Sequence, residues 1–202
     1  MGGSISLKFV REPSFFGIKH LEGPFHQTIV GRDKNTGKIF GFTNRSIRDL
    51  FVNGSVQKIG YMSLMRIIKE YQTGFPAIRG YQFCRELHKD LRTKFYLTSI
   101  MEDNQIAIKL LKSGVRGLPR YQEYTRFCTR SIPIRSKPRR VKRPSSFSIS
   151  KCSVNDKKIL ITFLNEYGKN HQFYPNWTID TLFHHDYTPG LKESDMLIAR
   201  KK

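Results

Sequence analysis

Residues 59–114 constrain this 202-residue chain more than any other stretch. They begin with a β-rich run from Ile59 to Ile68, nearly continuous in apolar content and so suited to a central strand. A short loop with Gly74 and Pro76 follows, then a helix-like run from Ala77 to Lys89 whose Ile78, Tyr81, Phe83, Cys84 and Leu87 are spaced for one buried face. Pro76 sits where the first turn of a helix tolerates it. A second β-rich run spans Lys94 to Ile100, and a second helix spans Asn104 to Lys112, with Asp103 as its expected N-cap and Gly114 as the C′ residue. Strand, loop, helix, strand, helix at this spacing is a βαβα unit with two parallel strands. Ligands of such units sit beyond the carboxyl ends of the strands. Here that points to Ile67–Ala77 and Met101–Asn104.

The flanks read as follows. His26–Asp33 alternates polar and apolar residues, Lys34–Gly37 supplies a turn, and Lys38–Phe42 returns as an antiparallel strand. Asn44–Lys58 shows no clear period, although Asn53-Gly54 is a turn signal. Tyr121–Ile134 alternates again and is expected to close the sheet. Arg130–Arg143 then carries seven Lys and Arg, two prolines and no acid, a linker composition. Beyond it come a short strand at SISKC, a helix from Asp156 to Gly168, a short helix from Thr178 to Phe183, and a strand at Asp195–Arg200. The organisation is therefore 1–134 as a core, 135–146 as a basic linker, and 147–202 as a β-α-α-β fragment. A fragment of about 55 residues buries too little apolar surface to stand alone, so it is expected to pack on the core.

Charge bears on partners. Thirty-six Lys and Arg against 16 Asp and Glu give a net charge of +20, a field that attracts polyanions. Three cysteines at scattered spacing suggest a reducing cytoplasm and no metal site. No apolar run approaches the ~18 residues a membrane span needs. His184-His185-Asp186 lacks a third metal ligand at a useful spacing.

Two motifs carry a family resemblance. Met65–Gly74, an apolar-Arg-β-branched run leading into Glu70-Tyr71-Gln72-Thr73-Gly74, resembles the strand-to-loop passage of the GNAT superfamily of acyl-CoA-dependent N-acyltransferases. Asn104-x-x-Ala107-x-x-Leu110, ending at Gly114, is similar to that family's helix after the next strand. The element order agrees over residues 26–134, and 147–202 resembles the opening half of such a domain. The resemblance implies an α/β (α+β) fold, a GNAT-like mixed sheet with a central βαβα unit flanked by helices. It also implies one of two arrangements: the middle of a tandem GNAT protein, or a permuted one, the favoured reading, in which 147–202 supplies the missing β-α-α segment within one chain or by exchange in a homodimer.

The resemblance further implies acetyl-CoA or another acyl-CoA as substrate and a small-molecule or peptide amine as acceptor, with no metal. Binding residues carried over are Ile67 at the strand end, Gln72, Thr73, Gly74, Phe75 and Ala77 in the phosphate loop, Arg79 beyond it, and Asn104 at the second helix. Glu70 is the candidate general base. The position of the family's proton-donating tyrosine holds Leu111, and Phe75 and Pro76 alter the loop, Pro76 by removing an N–H. These departures leave two alternatives to the acyltransferase: a GNAT-fold binding module without catalysis, and a basic nucleic-acid-binding protein acting through the linker.

Overall fold

The computed structural model describes Ser14 and residues 22–72, 75–115, 118–128, 146–184 and 186–201. Four strands form one mixed sheet in the order β1-β2-β3-β4: β1 Phe25–Arg32, β2 Ile39–Val52, β3 Ser55–Ile67 and β4 Tyr96–Leu97. The first three are antiparallel, and β4 runs parallel to β3. Helix α1, Pro76–Leu87, crosses between β3 and β4, and α2, Gln105–Lys112, follows β4. This is the mixed sheet with a central βαβα unit and helices that the sequence implies.

The turns follow their residues. The Asp33 carboxylate accepts from the N–H groups of Asn35 and Thr36, each at 2.9 Å, and so closes the β1–β2 turn. Asn53 and Gly54 both take positive φ (50° and 77°), a geometry that suits the strand twist of a tight hairpin and that Asn-Gly adopts at low cost.

Several boundaries differ from the sequence expectation. β2 continues through Val52, across residues that show no clear period, because Asn44, Arg45 and Ser46 are themselves buried. β3 begins at Ser55 and ends at Ile67. The strand expected over Lys94–Ile100 shortens to Tyr96–Leu97. The cap of α2 is Asn104 in place of Asp103, with its side-chain oxygen accepting from Ala107 N–H at 3.2 Å. The strand expected over Tyr121–Ile134 is not formed across Tyr121–Cys128, and its remainder lies outside the described residues, as do linker residues 135–145.

Towards the C-terminus, β5 Phe147–Lys151 and β6 Leu197–Lys201 pair antiparallel with each other. Between them lie α3, Lys157–Gly168, and the short α4, Ile179–Leu182. Capping boxes hold the 3-10 turn Val154–Asp156 that leads into α3, through Ser153 with Asp156, and the start of α4, through Thr178 with Thr181. This part meets the sheet through residues 173–176, which lie beside β2 where β1 has ended. Phe51 N–H donates to Tyr174 O and Phe173 N–H to Phe51 O, both at 2.8 Å, and Asn176 N–H donates to Asp49 O at 3.0 Å. The segment thus extends the sheet edge by three backbone hydrogen bonds and occupies an edge that would otherwise present unpaired groups.

Candidate acyl-transfer site

The site begins with an extra residue in β3. Asn44 pairs with Ser63 and Phe42 with Arg66, so Leu64 and Met65 together oppose Thr43. Leu64 takes φ +56°, the left-handed region where a branched side chain is strained. The result is a β-bulge, which bends the strand and ends regular pairing. On the other side of β3, the ladder to β4 stops after Gly60↔Tyr96 and Tyr61↔Leu97. Side chains then take over. Thr98 Oγ1 donates to Met62 O at 3.2 Å, and the Tyr61 hydroxyl meets Ser99 Oγ at 2.5 Å. Past this point β3, from Ser63 to Ile67, has no strand beside it on the β4 side among the described residues.

A clamp holds the other end of the two strands together. Arg45 is 1% exposed, and its guanidinium makes a bidentate pair with Asp90 at 2.8 and 2.9 Å. It also donates to Gln27 Oε1 and to the Tyr96 hydroxyl, both at 2.8 Å. Asp90 ends the 3-10 turn His88–Asp90 that continues α1, so one side chain ties β1, β2, β4 and α1. The Arg45 guanidinium beside Asp90 holds that carboxyl down at about 2. Gly60 lets the Tyr96 ring lie against β3, since a Cβ there would stand 2.1 Å from the ring.

The loop after β3 is pinned from several sides. Ile68 N–H donates to Phe40 O at 2.9 Å, and Tyr71 stacks on Phe40 and donates its hydroxyl to Asp33 at 3.0 Å. The N–H groups of Thr36 and Asn35 and that hydroxyl lower the Asp33 pKa below its usual value. Gln72 Nε2 donates to Ile67 O at 2.9 Å, so two of the sequence-predicted residues meet each other. Phe75 is the N-cap of α1 and offers no side-chain acceptor, which leaves the positive end of the helix macrodipole without a capping side chain. Phe75 is 67% exposed, Ala77 is half-buried and Arg79 is exposed. Glu70 is exposed in the 3-10 turn Lys69–Tyr71. Asn104 uses its side-chain oxygen to cap α2. Thr73 and Gly74 lie outside the described residues.

Leu111 is buried in α2 and has no proton to give. Tyr121 supplies a hydroxyl that the sequence did not single out. Its oxygen lies 3.2 Å from Thr98 Oγ1, at the point where β3 and β4 part, and its ring meets Tyr81 edge-on at 6.3 Å. The alternation around Tyr121 suggested a strand, and nothing in it marked this tyrosine. Burial and Tyr121 push the Tyr81 phenol far up, and burial raises the Cys84 thiol, so both are neutral packing groups near neutral pH.

No family model and no curated protein matches the chain. Solved structures similar to it are acetyltransferases of the GNAT fold, the family whose motifs the sequence resembles. One, described as an acetyl transferase of Pyrococcus furiosus, shares 15% identity over 54% of this chain and 66% of its own, with a TM-score of 0.43. The aminoglycoside antibiotic 6'-N-acetyltransferase of Acinetobacter haemolyticus shares 16% over 57% and 75%, with a TM-score of 0.43. A third, a complex with a CoA-acetylneamine bisubstrate analog, shares 16% over 54% and 74%, with a TM-score of 0.40. The chain spans about two thirds to three quarters of the length of these structures. The overlaps concern the path of the backbone.

Proposed function

We propose that the chain is an acyl-CoA-dependent N-acyltransferase, moving an acetyl group from the coenzyme A thioester to an amine. The observation that supports this reading is the opening between β3 and β4 at the Leu64 bulge, followed directly by the uncapped N-terminus of α1. An amide-bearing arm can lie along the free edge of β3 as a short strand would, and a pyrophosphate suits a helix N-terminus. Arg79, exposed in the first turns of α1, is a cation for the same phosphates.

In the transfer, the neutral amine nitrogen attacks the thioester carbonyl carbon, the carbon–sulfur bond breaks, and the amine proton leaves to a base. Glu70 is that base. Tyr121 donates its hydroxyl proton to the departing thiolate, the role that Leu111 cannot fill. No metal enters the proposed chemistry.

Two variants test this. Ala77→Glu places a carboxylate on the first turn of α1, which suits the helix but repels a phosphate. It is expected to leave the fold intact and to weaken acetyl-CoA binding by tenfold or more in calorimetry, about 1.4 kcal/mol. Tyr121→Phe is expected to keep that binding and to lower release of free coenzyme A thiol in an amine screen by about 10²-fold. Wild-type protein that gives no heat with millimolar acetyl-CoA would sink the reading.

A further inference from the structure

Strands β5 and β6 form a two-stranded ribbon whose faces are inverted for a domain in water. Directly opposed residues of an antiparallel pair share a face. Ser148 stands opposite Arg200 and Ser150 opposite Ile198. This more polar face turns towards the start of α3, where Arg200 pairs with Asp156 at 2.5 Å and also donates to Ser150 Oγ at 3.0 Å. The other face carries Phe147 opposite Lys201, Ile149 opposite Ala199, and Lys151 opposite Leu197.

All six residues of that second face are exposed, Phe147, Ile149 and Leu197 at 45%, 50% and 68%. An antiparallel ribbon ordinarily turns its apolar side to a core and its polar side to water. Here the polar side is tied to the helix and the apolar side lies open. The register sets an apolar band from Phe147 through Ile149 and Ala199 to Leu197, running diagonally across the face. Lys151 and Lys201 occupy the two remaining corners, and none of the six residues is acidic.

We infer that this face docks on an anionic lipid surface. Phe147, Ile149 and Leu197 enter the interface, and the two lysines meet the anionic headgroups. Binding of this kind combines buried apolar area with attraction to charged lipid. Lysine suits the corners, because its methylene stem lies along apolar surface while the ammonium reaches outward. Size decides against a protein as occupant. Two paired strands of five residues offer a face of roughly 17 Å by 10 Å, under about 200 Å². A stable protein complex buries about 800 Å² on each partner. A second copy would also bring another +20 of like charge and nothing acidic on this face to meet the lysines. Nucleic acid would use the lysines but not the aliphatic Ile149 and Leu197, since its contacts are with phosphates and stacked bases. None of this depends on the acyltransfer reading.

The test is co-sedimentation of the full chain with vesicles of phosphatidylcholine, either alone or with about 30% phosphatidylserine. The wild type is expected to bind the anionic vesicles at least tenfold more tightly than the neutral ones. The double variant Ile149→Thr with Leu197→Thr keeps strand-forming residues and removes the apolar band. It is expected to keep the wild-type Tm and to lose at least tenfold in affinity for anionic vesicles. Lys151→Gln with Lys201→Gln removes no packing and is expected to lose about tenfold on the same vesicles. A wild type that binds neither vesicle overturns the inference. If either double variant binds anionic vesicles as the wild type does, the protein adsorbs through its overall charge and the face is not the docking surface. Light scattering without lipid supplies the remaining control. A wild-type dimer that the threonine variant turns into a monomer would put a second copy on this face and overturn the lipid assignment.

Discussion

At the scale of single residues, Arg45 is the costliest side chain to leave without a partner. It is a fully buried cation, and Asp90 is the group that neutralises it. Removing one partner of a buried pair leaves a desolvated charge behind, which costs more than the pair itself contributes. Asp90→Ala is therefore expected to destabilise the protein by about 3 kcal/mol in urea denaturation at pH 7. The pH dependence has a definite sign. The Asp90 pKa falls from its ordinary 3.8 to about 2 on folding, so its contribution is complete above pH ~4 and is lost as pH falls towards 2. The gap between wild type and variant should close over that window, and a gap that stays constant from pH 7 to pH 2 would rule out the ion pair as its source. None of this is legible in the sequence. Arg45 sits in a polar run that reads as aperiodic, because its neighbours Asn44 and Ser46 are buried on the opposite face of the same strand.

At the scale of elements, periodicity read the helices well and the strands less so. α1 and α2 have apolar faces that bury Tyr81 and Leu111, and a 3.6-residue period survives in the sequence when one face is exposed. β4 is only two residues long because side-chain bonds from Thr98 and Ser99 replace the ladder, and an apolar run cannot announce that. The run from Tyr121 alternates as a strand would, but Tyr121 turns to Thr98 and Tyr81 while Tyr124 and Phe127 stay largely exposed. Ile67 ends β3, Phe75 is the N-cap of α1 and Gln72 lies in the loop between them, placements that an apolar run followed by Gly74 and Pro76 makes legible in the sequence. The bulge at Leu64 was hidden, since a leucine does not signal positive φ.

The β3–β4 contact offers its own test. A Cβ on Gly60 would lie 2.1 Å from the Tyr96 ring, and that ring cannot turn away without giving up its hydroxyl bond to Arg45. Gly60→Ala is expected to lower stability by about 2 kcal/mol through overpacking, read from the urea midpoint at unchanged slope. The double variant Gly60→Ala with Tyr96→Phe should lose less than the sum of the two single changes, since both act on one bond. Full additivity would mean that the ring and the clamp are independent.

At the scale of the whole molecule, the question is how the C-terminal part is coupled to the sheet. The contact includes three backbone bonds from residues 173–176, the paired amide bonds between Gln172 and Asn53, the Tyr124 ring edge-on to Phe173 at 5.3 Å, the Arg48 guanidinium over the Trp177 ring at 4.3 Å, and the seat of Phe51 against Gly168. A Cβ on Gly168 would stand 2.5 Å from the Tyr174 ring and 3.0 Å from Phe51. Gly168→Val is therefore expected to push the two apart at this seat. The organisation we propose, a core and a separate C-terminal unit joined by a basic linker, then makes a specific demand on hydrogen exchange. The amides of Phe51, Phe173 and Asn176 should exchange at least tenfold faster, while those along the β2–β3 ladder near Ile47 and Ile59 keep their protection, because local opening has its own free energy. Loss of protection across the entire sheet would instead mean that the C-terminal part belongs to the same cooperative unit as β1–β4. The proposed acyl site could then not form without it, and acetyl-CoA binding would fall in Gly168→Val as steeply as in Ala77→Glu.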